Sequence, residues 1–181
     1  MKYDSIYHLA NKIRNEYYCN NSKTLCKSLG IPLLSEAMGC SEESVKGIAF
    51  STNNVSAIII NSDLPDAIQR VIIAHEIGHV LLHIQDGKNS FCDNHLLSTI
   101  SNSEKEANIF AANLLIDDYS LIEYLKDGYT INLAAAYFKV PIELIEYKII
   151  TLKDIGENFS NSIETPLSSC LANIPIADLI F

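Results

Sequence analysis

The sequence predicts an α+β fold, mostly helical, with one small antiparallel sheet. Two short β-rich stretches, GIAF at 47–50 and VSAIIIN at 55–61, flank a polar turn and predict a hairpin. Most of the remaining chain shows apolar residues at helical spacing. With 181 residues, 48% of them hydrophobic and 19% charged, the chain has the length and composition of one globular domain.

Capping residues and apolar periodicity predict seven helices. Asp63 is expected to cap the third helix and Ser103 the fourth. The segments 31–46 and 85–103 are polar or contain turn residues and are predicted to be loops. The predicted helices span about 3–18, 22–29, 64–84, 104–116, 117–128, 130–140 and 141–152.

These elements predict one domain over residues 1–155, followed by a short tail. The helices of about 117–155 form the C-terminal part of that domain. The tail, 156–181, is rich in Asn, Ser and Thr and contains two prolines, so we expect it to be poorly defined.

Charge argues against direct nucleic-acid binding. The formal charge is −9, whereas a phosphate backbone requires clustered Lys and Arg. The helices at about 130–150 can be read as a helix-turn-helix, but Glu143 and Glu146 outnumber Lys148 on the second of them. We therefore expect these helices to pack within the domain, and any macromolecular partner to be a protein.

Cysteine usage and hydropathy indicate a cytoplasmic protein. No apolar stretch approaches the roughly 18 residues of a membrane span, and the N-terminus resembles no secretion signal. The five cysteines are scattered, odd in number and never in a CxxC pair, which predicts reduced thiols. They are Cys19, Cys26, Cys40, Cys92 and Cys170.

The stretch AHEIGHVLLH, residues 74–83, predicts a metal site within an apolar helix. His75 and His79 stand at i and i+4, so their imidazoles lie on one face and can bind one ion, zinc in the first instance. Glu76 is displaced from that face yet close enough to contact a water on the metal. This is the H-E-x-x-H arrangement of metallopeptidases, in which the glutamate is the general base.

The next predicted helix offers the third ligand. Glu104 and Asn108 are again at i and i+4, so we expect Glu104 to bind the metal and Asn108 to hydrogen-bond to a ligating histidine. Glu106 projects to another side and is expected to face solvent or act as a cap. Small residues would let the two helices approach closely; these are Gly78, Ala107, Ala111 and Ala112.

The other histidines and several tyrosines are weaker candidates for functional residues of the site. His83 continues the ligand face, but a fourth ligand would close the site, so its position at the helix C-terminus is the favoured explanation. His95 is either an oxyanion donor or a solvated loop residue, with the second favoured; His8 has no evident partner. Tyr119, Tyr124 and Tyr137 are candidate oxyanion donors, but core packing explains them.

Three segments together resemble the ImmA/IrrE family of bacterial and phage metallopeptidases. They are IIINSDLPDAIQRVIIAHEIGHVLLH, EKEANIFAANLLI and LAAAYFKVPIELIEYKI, and the resemblance covers roughly residues 5–150. It implies a zincin-like fold with the sheet packed on the H-E-x-x-H helix, and a zinc enzyme for which manganese is the alternative metal. The ligands carried over are His75, His79 and Glu104, and the catalytic glutamate is Glu76.

The resemblance also implies a substrate, a helix-turn-helix repressor encoded by a phage or mobile element. The leading hypothesis is therefore a cytoplasmic zinc endopeptidase that cleaves such a repressor through metal-bound water activated by Glu76. The alternative is a non-catalytic, metal-stabilised module that binds a repressor or antitoxin-like partner. A purely structural zinc site has four protein ligands and would leave Glu76 without a role. The presence of Glu76 therefore favours the endopeptidase hypothesis. The sequence sets no oligomeric state.

Overall fold

A computed structural model describes residues 3–17, 21–52, 55–84, 90–93 and 101–157. These residues form seven helices and four strands. The helices are α1 (Asp4–Tyr17), α2 (Ser22–Ser28), α3 (Asp66–Leu82), α4 (Asn102–Leu115), α5 (Asp118–Lys126), α6 (Ile131–Phe138) and α7 (Ile142–Asp154). The strands are β1 (Leu33–Glu36), β2 (Gly47–Thr52), β3 (Val55–Asn61) and β4 (Ser90–Asp93).

The predicted α+β class is confirmed, and the sheet has the order β1-β3-β2-β4. Strand β2 runs antiparallel to both β3 and β4, so the predicted hairpin is present. The sheet is nevertheless mixed rather than wholly antiparallel, because β1 runs parallel to β3.

Strands β1 and β4 both lie in segments that were predicted to be loops. Strand β1 has four residues, and three of them are exposed, so no apolar alternation marks it. The backbone supplies its pairing instead: Leu33 pairs with Ile58, whose amide also donates to the Pro32 carbonyl at 2.9 Å. Strand β4 pairs with β2, with Asp93 opposite Gly47.

Two predicted helix caps are each wrong by two positions. The N-cap position of α3 is Pro65, and the Asp63 carboxylate accepts instead from the Gly39 amide at 2.7 Å. In α4 the capping side chain is Ser101, whose hydroxyl oxygen accepts from the Glu104 amide at 3.2 Å. Because α4 therefore begins at Asn102, Glu104 lies in its first turn, where its backbone is fixed by the cap.

Helix α3 lies at the centre of the core, between the sheet and α4. Strands β2 and β3 cover one side of it, and α4 covers another. Its apolar residues are buried around most of the helix, as expected for a helix with protein on more than one side; Ile72, Ile73, Ala74 and Ile77 are examples. Helices α1 and α7 pack on α4 from outside.

The predicted C-terminal helices belong to the same hydrophobic core as α3 and α4. Leu121 of α5, Ala134 of α6 and Leu144 of α7 are all buried in it. The predicted tail lies outside the described residues from 158 onward. Within the described ranges, no helix combines the length and apolar character needed to cross a membrane.

Candidate metal centre

The three predicted metal ligands lie together where α3 meets the first turn of α4. His75 Nε2 and His79 Nε2 are 2.9 Å apart. The Glu104 carboxylate bridges them, with Oε2 at 3.3 Å from His75 Nε2 and Oε1 at 3.3 Å from His79 Nε2. In the part of the chain that the structure describes, this is the one group of three such donors within reach of a shared ion.

The spacing and chemistry of these donors fit a tetrahedral divalent cation. Bonds of about 2.0–2.1 Å at a tetrahedral zinc place neighbouring donor atoms roughly 3.3 Å apart. The two carboxylate–imidazole distances match that edge, and the imidazole pair is slightly closer. Two neutral nitrogens and one carboxylate oxygen also suit zinc or manganese. The three residues leave at least one coordination position to a fourth group.

The pKa shifts at the site favour the protonation states that a cation requires. Burial raises the pKa of Glu104, but hydrogen bonds and charge interactions with His75 and His79 outweigh it and lower the pKa to about 2. Burial lowers the pKa of His79, and the neighbouring His75 and His83 lower it further, against the opposing effect of Glu104. At neutral pH the carboxylate is therefore ionised and the His79 ring is neutral, as metal ligands must be.

Asn108 fixes the direction of the His75 ring. Its side chain is fully buried, and its Oδ1 lies 2.7 Å from His75 Nδ1. Since an amide oxygen only accepts, Nδ1 carries the hydrogen, so in the neutral ring the lone pair is on Nε2, the nitrogen that faces His79 and Glu104. The Tyr147 side chain of α7 also contacts Asn108: burial raises the pKa of Tyr147, and a hydrogen bond with Asn108 opposes that rise.

Glu76 lies on another side of α3, under strand β2. It is fully buried, and it is not one of the three grouped donors. It packs against that strand at Gly47, where a built Cβ atom would lie 2.8 Å from Glu76 Oε1. Glu76 therefore packs against the start of strand β2.

The other sequence candidates lie outside the group of three donors. His83 caps the C-terminus of α3, and its Nε2 lies 3.1 Å from the Ser103 carbonyl oxygen and 3.8 Å from the Glu106 carboxylate. Its assignment to the helix end is therefore confirmed, and Glu106 faces His83. His8 is exposed and lies 3.4 Å from Asp4. His95 lies outside the described residues.

The packing role expected for three tyrosines is wrong for two of them. Tyr119 and Tyr137 are 72% and 61% exposed. Tyr124 is half-buried and stacks on Tyr129 and Tyr137, with ring centroids 4.2 and 5.0 Å away. These rings form an aromatic cluster on α5, α6 and the turn between them.

Two residues of the site were not singled out by the sequence. Gly47 opens a predicted strand, and a glycine in a strand often marks a close approach of another group, so a signal for it existed. Tyr147 carries no such signal, because it stands among the apolar residues of α7 like any core aromatic.

Comparison with known proteins shows that the sequence of this chain is similar to those of metallopeptidases. A family model described as the IrrE N-terminal-like domain, of the M78 peptidases, matches residues 26–149. The metallopeptidase ImmA of Bacillus subtilis is 29% identical over 162 residues, covering 87% of this chain and 89% of that protein. Uncharacterized immunity region protein 2 of Bacillus phage phi105 is 34% identical over 100 residues. That match covers 55% of this chain and only 60% of the length of the phage protein. No solved structure matches the chain significantly.

Proposed function

Because this chain belongs to the ImmA/IrrE family of metallopeptidases, we propose that it is a zinc-dependent endopeptidase, with manganese as the alternative metal. In this proposal His75, His79 and Glu104 hold the ion and Glu76 is the general base. The observation that carries it is the buried group of two imidazoles and one carboxylate at ligand spacing.

Each side chain of the site has a definable task in peptide hydrolysis. A bound divalent cation lowers the pKa of a coordinated water towards about 7 and polarises a carbonyl. The Glu76 carboxylate accepts a proton from the attacking water and donates it to the leaving amine nitrogen. Asn108 keeps the His75 lone pair aimed at the ion, because it holds the ring hydrogen at Nδ1.

We propose a helix-turn-helix repressor of a phage or mobile element as the cytoplasmic substrate. The support is the immunity-region name of the phage relative and the similarity to ImmA. Charge supports it as well: a chain with a formal charge of −9 attracts a basic DNA-binding protein and repels nucleic acid.

Glu76→Gln tests this function most sharply, because it removes the base and keeps the size of the side chain. We expect the variant to bind one zinc ion per chain and to cleave a co-expressed helix-turn-helix protein, encoded beside the gene, at least about 100-fold more slowly than wild type. Intact-mass spectrometry of the repressor and metal analysis of the purified enzyme give the two readouts.

Glu106→Gln is the matched control, because it makes the same change outside the donor group, at a carboxylate facing His83. It should cleave like wild type. Cleavage by the Glu76→Gln variant at the wild-type rate would contradict the proposed role of Glu76. Relief of repression by Glu76→Gln without any cleavage would instead indicate the binding module that is the alternative.

A further inference from the structure

Strand β2 packs tightly against α3 at Gly47. A Cβ atom built there would lie 2.6 Å from Ile72 Cγ2, 2.8 Å from Glu76 Oε1 and 3.2 Å from Glu76 Cγ. Among the glycines that the structure describes, those with positive φ are Gly30, Gly39, Gly128 and Gly156, so Gly47 is not needed for its backbone conformation. Glycine is needed there because a side chain has no space.

We propose that Gly47 is a positioning residue for the Glu76 carboxylate. Because Gly47 has no side chain, the general base packs directly against the backbone of strand β2, and this contact sets its position. This inference rests on the proposed function of Glu76. It assigns to strand β2 a task in the reaction that is separate from the metal ligands of α3 and α4.

The backbone around Gly47 is held on both sides and has little room to retreat. Gly47 pairs with Ile60 of β3 and with Asp93 of β4. The preceding carbonyl, of Lys46, accepts from the Asn61 amide at 3.1 Å. The buried Lys46 ammonium in turn donates to the Ser41 carbonyl at 2.7 Å. An added side chain at Gly47 must therefore displace its neighbours on α3.

Glu76 is the neighbour that yields most easily. Ile72 is buried and β-branched, so its χ1 angle is stiff. Glu76 Oε1 is the end of an unbranched side chain. Cβ contacts shorter than 3.0 Å essentially never occur and ordinary contact begins at 3.4 Å, so from 2.8 Å the carboxylate oxygen must move by at least 0.2 Å, and by 0.6 Å to reach an ordinary contact. Displacements of this size matter in catalysis, since a misplacement of about 1 Å can cost about 100-fold in rate.

Gly47→Ala is the direct test. We expect a crystal structure of the zinc-loaded variant to show the Glu76 carboxylate displaced, with His75, His79 and Glu104 in place. Zinc affinity should stay within about two-fold of wild type, while kcat for the repressor that wild type cleaves falls about 10- to 100-fold with little change in KM. An undisplaced carboxylate with unchanged kcat would overturn the inference, as would a loss of zinc affinity equal to the loss of activity.

A double variant distinguishes displacement of the Glu76 carboxylate from the steric clash with Ile72. Relieving that clash also helps the protein to fold. Gly47→Ala with Ile72→Leu removes the Cγ2 methyl that lies nearest to the added atom but leaves the contact with Glu76. We expect kcat to remain low in this double variant. Recovery of wild-type kcat would assign the effect to Ile72 and overturn the inference.

Thr52→Ala is the control, an exposed residue at the far end of the same strand, and it should leave kcat unchanged. Failure of this inference is distinguishable from failure of the proposed function. If Glu76→Gln is inactive while Gly47→Ala is fully active, only the role of Gly47 is wrong. If Glu76→Gln is fully active, the proposed base itself is wrong.

Discussion

At the scale of single residues, the hydrogen bond between Asn108 and His75 decides which imidazole nitrogen can bind a metal. The bond is short, at 2.7 Å, and both side chains are buried, so water cannot replace the amide oxygen without rearrangement. The neutral ring then presents Nε2 to His79 and Glu104. Partners of this kind typically contribute about 10- to 100-fold to metal affinity or activity.

Asn108→Leu tests that contribution at nearly constant volume. We expect zinc affinity to fall about 10- to 100-fold, because His75 loses the acceptor that fixes its tautomer and direction. Competition with a chromophoric chelator measures the affinity. Asn108→Asp, which keeps an oxygen opposite Nδ1, should lose less. Equal affinity of the Leu variant and wild type would refute this role.

The residues that sequence reasoning identified at the site are those related by helical spacing. His75 and His79, and likewise Glu104 and Asn108, are four positions apart, and helix geometry places such pairs on one face without further information. The contact of Gly47 with Glu76 joins a strand to a helix, and its distance depends on how the sheet packs. The spacing of residues within one helix gives no information about that distance.

At the scale of elements, the site depends on how closely α3 and α4 approach. Gly78 faces α4, and a Cβ atom built there would lie 3.1 Å from Ala107 Cα and 3.3 Å from the Ala107 carbonyl oxygen. Because these are backbone atoms, they cannot yield by rotating a side chain. The approach brings Glu104, on α4, to both histidines of α3.

Gly78→Ala should therefore weaken metal binding. The helices must separate by a few tenths of an ångström, which draws Glu104 away from His75 and His79, and we expect zinc affinity to fall about 10-fold. Overpacking costs about 1–3 kcal/mol, against which the better helix propensity of alanine returns about 1 kcal/mol. Urea unfolding and zinc competition measure the two effects.

Gly47→Ala is the matched control for Gly78→Ala, since it adds the same methyl group on another side of α3. It should preserve zinc affinity and lower the rate, whereas Gly78→Ala should lower the affinity. Unchanged zinc affinity in Gly78→Ala would show that the helix approach does not set the ligand geometry.

Helices were easier to predict than strands because their signals are local. All seven predicted helices are present, and their ends differ by a few residues where a cap was misassigned, as at Ser101. The short edge strand β1 carries no alternating pattern, and its pairing with β3 is set by tertiary contact. Strand β4 lies in a polar segment and pairs with β2 for the same reason.

At the scale of the whole molecule, a buried ionic network joins four helices at the C-terminal end of α4, remote from Glu104. The fully buried Lys148 bonds to Asp118 and donates to Asn113 Oδ1 at 2.9 Å. Tyr7 donates to Asp118 at 2.5 Å, and Arg14 lies 3.6 Å from it. Tyr7 and Asp118 are 111 positions apart, so no local pattern could have predicted this network.

Because of this network, the free energy of unfolding depends on pH in the acidic range. Burial raises the pKa of Asp118, but Lys148, Tyr7 and Arg14 outweigh it and hold the pKa below the ordinary value of 3.8. The unfolded chain therefore takes up the proton first. The free energy of unfolding contributed by this group is present above pH 3.8 and is lost as the pH falls through and below that value.

Urea unfolding of the metal-free protein between about pH 6 and pH 3 measures this dependence. Asp118→Asn should be less stable at neutral pH and should lose less stability on acidification than wild type. Asp127→Asn, which removes an exposed carboxylate at the end of the same helix, should behave like wild type. A wild-type acid dependence in Asp118→Asn would contradict the role of this network.

The most direct test of the metal centre is anomalous diffraction at the zinc edge from crystals grown with zinc. We predict one strong peak, bonded by Nε2 of His75, Nε2 of His79 and a carboxylate oxygen of Glu104, with Glu76 beside it and not among the ligands. A Glu104 side chain turned away with no peak between the two histidines, or zinc bound at other residues alone, would contradict the assignment.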